Sequence, residues 1–72
     1  MTEAGLHTSQ KFSSREIECL SLSAKGMSDV QVGSLINISE ATVRFHIRNA
    51  CKKLHVRSRR AAIYHAAKLD II

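Results

Sequence analysis

Strand-like alternation of apolar and polar residues is missing from this chain. Apolar positions instead recur at helical spacing. Val43, Ile47, Ala50 and Leu54 are the best case: at about 100° per residue they fall within about 60° of one another. Proline is absent and glycine occurs three times, so few breakers interrupt the pattern. The breaks that do occur carry helix-start signals. Phe12-Ser13-x-x-Glu16-Ile17 reads as a capping box with a hydrophobic staple. Ser13 accepts from the Glu16 amide, Glu16 reaches back to the Ser13 amide, and Phe12 packs on Ile17. Met27-Ser28-x-x-Gln31-Val32 repeats this grammar. Ile38-Ser39-x-x-Thr42-Val43 repeats it again, with Thr in place of Glu or Gln. Ser58 is the expected N-cap of a fourth helix, without the box.

The stops complete the division. Lys25-Gly26 ends the first helix, with Gly26 in the left-handed position. Asn37 takes that position after the second. The signals together predict helices over about 14–25, 29–36, 40–54 and 59–69. Residues 1–11 read as an arm or linker and residues 12–72 as one all-α domain, a four-helix bundle. The second helix, about eight residues long, is too short to stand alone in water and must be held by packing. The short link Asn37-Ile38-Ser39 forces the second and third helices into an angled pair, a helix-turn-helix over about residues 29–48. Val32, Ile36, Ile38, Val43 and Ile47 form its expected core. Gly33 costs about 1 kcal/mol relative to Ala inside a helix; close approach by the third helix explains it. In the fourth helix, Ala62, Ala66 and Leu69 face the core, with Ile71 and Ile72 folding back as apolar plugs.

Size narrows the function. The chain has 72 residues and a mass of 8.0 kDa, enough for one domain. Such a domain buries only about 60% of its unfolded surface and leaves little room for a deep catalytic pocket. No apolar run is long enough to cross a membrane, and no secretory signal opens the chain. Cys19 and Cys51 lack a C-x-x-C pattern and read as reduced, buried thiols of a cytoplasmic protein. The four histidines are His7, His46, His55 and His65. Cys51 and His55 could share a helical face, but zinc needs a fuller ligand set and no second spaced pair exists. Glu16 and Glu18 lie on adjacent turns and read as structural. Neither a phosphate-cradling glycine loop nor a nucleophile–base pair is present. The chain is not expected to be an enzyme or to hold a metal, cofactor or small-molecule ligand.

Charge points to a partner. Eleven Lys and Arg stand against six Asp and Glu, a net charge of +5. Seven of the cations, Arg44, Arg48, Lys52, Lys53, Arg57, Arg59 and Arg60, lie within 17 residues, and no acid occurs between Ala41 and Leu69. A one-sided field of this kind attracts a polyanion; the alternative is a solvated face that keeps the domain soluble. The third helix decides between them. Opposite its apolar seam it carries Ala41, Arg44, Phe45, Arg48 and Lys52. An exposed Phe beside Arg suits the floor of a DNA groove, where Arg binds guanine O6 and N7 and an apolar side chain meets a thymine methyl. The bland alternative for Phe45 is a half-buried contact at the edge of the core.

The residues now assembled resemble the LuxR/FixJ-type helix-turn-helix domain of bacterial transcription regulators. The matching pieces are Phe-Ser-Ser-Arg-Glu-Ile-Glu-Cys-Leu at 12–20, Ala-Lys-Gly-Met-Ser at 24–28 and Ile-Ser-Glu-Ala-Thr-Val-Arg-Phe-His-Ile at 38–47. Lys-Lys-Leu at 52–54 and Val-Arg-Ser-Arg at 56–59 follow. The resemblance runs from Phe12 to Ile72, and Thr-Val-Arg-Phe-His looks most like the quorum-sensing branch. It implies a domain whose third helix enters the major groove of double-stranded DNA, usually as a dimer on an inverted repeat, to regulate transcription. By position, Arg44, Phe45 and Arg48 are implied base readers. Ser39, Thr42, Lys52, Ser58 and Arg59 are implied phosphate contacts; helix N-termini suit that role independently. Ile63, Tyr64 and Ala67 of the fourth helix are the expected homodimer contacts, weak without DNA. RNA polymerase is a further expected partner, and the nucleoid the expected place. Asn37, His55 and Asp70 depart from the family pattern, standing where it usually has glycine, and Ala61 replaces a common Glu. A second reading is an antagonist that binds no DNA and dimerises with a related full-length regulator.

Overall fold

Four serines open the four helices of the computed structural model, which describes residues 11–72. The helices are α1 (Ser14–Ala24), α2 (Asp29–Ile36), α3 (Glu40–Lys53) and α4 (Arg59–Lys68). The expected arm over residues 1–11 lies outside the described residues except for Lys11. Ser13 Oγ accepts from the Glu16 amide at 3.0 Å, and Glu16 Oε1 accepts from the Ser13 amide at 2.9 Å. Ser28 and Gln31 make the same reciprocal pair at 3.1 and 2.8 Å. Before α3 the box is incomplete. Ser39 Oγ accepts from the Thr42 amide at 3.1 Å, and the Thr42 hydroxyl, too short to reach back, bonds Ser39 Oγ itself at 2.8 Å. Ser58 caps α4 through the Ala61 amide at 3.1 Å. Each cap stabilises its helix by about 1 kcal/mol.

The helix ends repeat as regularly as the starts. Gly26, Asn37, His55 and Asp70 follow the four helices with φ of 94°, 63°, 58° and 59°. Each is followed by an apolar residue whose amide donates to a carbonyl five positions back: Met27 to Leu22, Ile38 to Gly33, Val56 to Cys51 and Ile71 to Ala66, at 3.3, 2.9, 3.0 and 2.8 Å. This is the Schellman grammar of helix termination, and it turns the apolar residue inward. Three of the four left-handed residues are not glycine, so the chain accepts a local strain of about 1 kcal/mol at each.

Two apolar clusters result. Phe12, Leu20, Ala50, Ala62, Ala66 and Ile71 form one; Cys19, Val32, Val43 and Ile47 form the other. Helix α3 belongs to both, and Cys51 packs against both. Its first half is thereby fixed against the α2 side and its second half against α4. The short α2 gains the packing that its length demands. Phe12 and Ile17 share the first cluster, as Met27 and Val32 share the second, which agrees with the staples.

Three expectations change. A Cβ on Gly33 would stand 2.5 Å from the Ile38 carbonyl oxygen. The close neighbour is thus the backbone of the α2–α3 turn, not the body of the third helix. Leu69 is 52% exposed; it caps α4, and the left-handed turn at Asp70 sends Ile71 into the core in its place. Helices α1, α3 and α4 also end one residue earlier than expected, because Lys25, Leu54 and Leu69 serve as caps.

Candidate nucleic-acid interface

Helix α3 presents its two faces as its periodicity requires. Val43 and Ala50 are fully buried and Ile47 nearly so, while Phe45 is 53% exposed. Arg44, Arg48 and Lys52 are exposed beside it. Phe45 therefore is not an edge-of-core contact. Its ring stands edge-on to the neighbouring His46 imidazole, at 5.7 Å between centroids.

An open groove runs along this face, lined by Arg44, Ile47, Arg48, Cys51, Lys52, Val56, Arg57 and Arg59. Five of these eight side chains are cationic. Val56 and Ile47 give it an apolar floor. The groove exists because the Schellman turn at His55 pulls Val56 inward and swings Arg57 alongside α3. Arg57 belonged to the cation run, but spacing alone gave it no role. The turn that brings it here depends on a left-handed histidine, which sequence reading flagged only as unusual.

The expected site residues separate into two groups. Arg48 and Lys52 make no ion pair among the described residues, and neither does Arg57. Ser39 and Ser58 are exposed at the N-termini of α3 and α4, with Thr42 half-buried beside Ser39. Arg44 is exposed but engaged: its Nη1 donates to Glu40 Oε2 at 2.7 Å. Arg59 differs most from expectation. Its guanidinium donates to both oxygens of Asp29, at 2.6 and 2.9 Å, and to Ser23 Oγ at 3.3 Å. That fork ties the N-terminus of α4 to that of α2, so the side chain expected at phosphate is also a scaffold tie, 37% exposed and still lining the groove. The pair holds the Asp29 carboxyl below its ordinary range, the hydrogen bond from Arg59 being the main cause; the same bond raises Arg59.

Lys53 is captured in the same way. Its Nζ donates to Glu16 Oε1 at 2.7 Å and lies 5.7 Å from the Phe12 ring centroid. Glu16, almost wholly buried, thus bridges its own helix cap and the end of α3. Cys19 is buried as expected, Cys51 only half-buried, and burial pushes both thiols up.

On α4, Tyr64 and Ala67 are exposed, with Lys68 Nζ 5.7 Å from the Tyr64 ring centroid. Ile63 is not their equal. It is half-buried and packs against the Phe12 cluster. The expected outward stripe of Ile63 and Ala67 is therefore replaced by a surface centred on Tyr64.

A short capped helix, a tight turn over a glycine and a second helix with a basic outer face define a helix-turn-helix domain. Residues 10–66 match the family described as bacterial regulatory proteins, luxR family. The chain belongs to that family of bacterial regulatory proteins. It is 48% identical over 52 residues to the transcriptional activator protein VanR of Vibrio anguillarum, covering 72% of this chain and 22% of VanR. It is 54% identical over 48 residues to the nitrate/nitrite response regulator protein NarP of Escherichia coli, covering 67% of this chain and 22% of NarP. The transcriptional activator protein EsaR of Pantoea stewartii is 41% identical over 61 residues, 85% of this chain and 24% of EsaR. The chain thus spans less than a quarter of the length of these curated relatives.

Proposed function

We propose that this domain reads a specific double-stranded DNA sequence by placing α3 in the major groove, as a homodimer on an inverted repeat. The observation that carries the reading is the outer face of α3: an exposed Phe45 flanked by Arg44 and Arg48, continuous with a groove of further cations. Arg44, Phe45 and Arg48 read base edges. Ser39, Thr42, Lys52 and Ser58 contact phosphate, joined by Arg57, while Arg59 supports the site through Asp29. A single recognition helix reads only a few base pairs, which is too little to single out a genomic site. Two copies on half-sites about one helical turn apart double the readout.

Tyr64 and Ala67 are the exposed contacts proposed for pairing, with Ile63 supporting them from within. The patch is small, so pairing is weak without DNA. The domain acts in the cytoplasm, on the nucleoid, with RNA polymerase as a further partner. The Thr42-Val43-Arg44-Phe45-His46 run favours the quorum-sensing branch, and the similar proteins VanR and EsaR are transcriptional activators. Selection of bound sequences from a random duplex pool tests the reading. An enriched inverted repeat, bound cooperatively by the chain and without cooperativity by Tyr64→Asp, is the expected result. A pool with no enriched sequence overturns it and leaves the antagonist role.

A further inference from the structure

Glu40 is out of place on a surface meant for a polyanion. It is the sole acid between Val30 and Leu69 in the sequence, and it opens α3, the helix that the proposed docking carries into the groove. Its side chain is 49% exposed, and that of Arg44, its partner at 2.7 Å, is 48% exposed. An exposed pair one helical turn apart adds little to stability. Near DNA, the carboxylate opposes every phosphate it approaches. As an acid in the first turn it also favours the α3 N-terminus modestly, a role that any acid there fills, while bare affinity argues against it.

The carboxylate does control where a guanidinium points. Arg44 has one Nη held along the helix by Glu40. A lone phosphate offers Arg44 a diffuse contact that any sequence supplies. A guanine edge offers two acceptors at fork spacing, which occur only at the right base pair. A competing carboxylate penalises the first contact more than the second, which is how a repulsive element raises discrimination.

We propose that Glu40 is a positioning residue for sequence discrimination: it holds Arg44 along α3 and away from phosphate, so that the guanidinium is released to a guanine edge and not to the backbone. The proposal rests on Arg44 being a base reader. In it, Glu40 lowers binding to all DNA while widening the gap between the preferred site and the rest.

The test compares Glu40→Gln, Arg44→Ala and the double variant in the 72-residue chain. Each is titrated against a duplex carrying the selected site and a scrambled duplex of equal length, over a salt series, with thermal unfolding as a check. Glu40→Gln is expected to bind the scrambled duplex about three- to tenfold more tightly and the site within about twofold of the parent, with a scrambled-duplex salt slope steeper by about one phosphate contact. In the Arg44→Ala background the same substitution is expected to change neither. If Arg44→Ala lowers site preference but Glu40→Gln leaves it unchanged, the proposal fails and base reading by Arg44 stands. If Arg44→Ala leaves site preference intact, both fall. Tighter scrambled binding that persists in the Arg44→Ala background shows Glu40 acting as bare charge, and overturns the positioning role. Equal shifts on both duplexes with a lowered Tm make Glu40 structural and overturn it too.

Discussion

Lys52 and Lys53 follow one another on α3 and do opposite work. Lys52 is exposed, lines the basic groove and has no ion pair among the described residues. Lys53, 100° further round the helix, meets a buried Glu16 and the Phe12 ring. Arg57 and Arg59 both line the groove, but Arg57 makes no ion pair among the described residues while Arg59 is forked onto Asp29. A run of cations that looks uniform in sequence is thus two populations. One is left free for the partner proposed above, and the other fastens α1 and α2 to the ends of α3 and α4. In that reading the charge free to attract DNA is smaller than the charge that the chain carries.

The largest test of this division is Lys53→Met. It keeps the aliphatic stem but leaves the buried Glu16 carboxylate without its cation. Losing one partner of a buried pair costs several kcal/mol. Lys53 is about a third exposed, so water softens the loss, and about 2–3 kcal/mol is expected in urea unfolding. The salt slope of DNA binding should stay at the parent value. A flattened slope with unchanged stability would return Lys53 to the partner-facing group.

Arg48→Ala should show the mirror image. It is expected to weaken the selected site by about 1–3 kcal/mol and relax one base position, with Tm unchanged. Lys52→Ala, in contrast, should weaken every duplex alike. Loss of stability on Arg48→Ala with unchanged site affinity would break the comparison from the other side.

The Asp29–Arg59 fork predicts a pH dependence. The folded Asp29 carboxyl titrates below its unfolded value of about 3.9. Its contribution is therefore fully present above that value and is lost as pH falls through the folded pKa. Asp29→Asn should cost about 1 kcal/mol at neutral pH, a modest figure because Arg59 is partly exposed. It should also shrink the stability lost on acidification below about pH 4. An acid limb that is as steep in the variant as in the parent would remove the fork from the scaffold.

How far the sequence shows this structure depends on the range of each interaction. The helix starts were legible because a serine and a residue three positions on make the whole cap. The turn at Asn37 and the outward Phe45 were legible for the same reason: local geometry and periodicity decide them. Lys53 and Arg59 were not, because their partners lie 37 and 30 residues away. For Arg59 the resemblance alone implies a phosphate contact, and the fork onto Asp29 is invisible to it. Leu69 is exposed, not core, because a single left-handed residue, Asp70, resets the register beyond α4, while Ile71 folds back as expected. Ile63 is half-buried, not fully outward, because it packs against the first cluster, which a helical wheel for one helix does not reveal.

The smallest effect concerns His55, which sits between captured Lys53 and groove-lining Arg57. Its φ of 58° is a conformation that a side chain disfavours by about 1–2 kcal/mol. Glycine there removes that strain but frees the unfolded chain by about 0.5–1 kcal/mol. The balance favours His55→Gly by about 0.5 kcal/mol, a small rise in the urea midpoint at unchanged m. The φ that the turn requires is the one glycine prefers, so Val56 should still seat in the core and Arg57 should still reach the groove. DNA affinity and salt slope are thus expected to match the parent. A gain in stability with weaker DNA binding would mean that the imidazole itself belongs to the partner-facing group. A loss of stability would mean that His55 packs more than its exposure suggests, and that the link between the two populations of cations is built from its side chain as well as from its backbone.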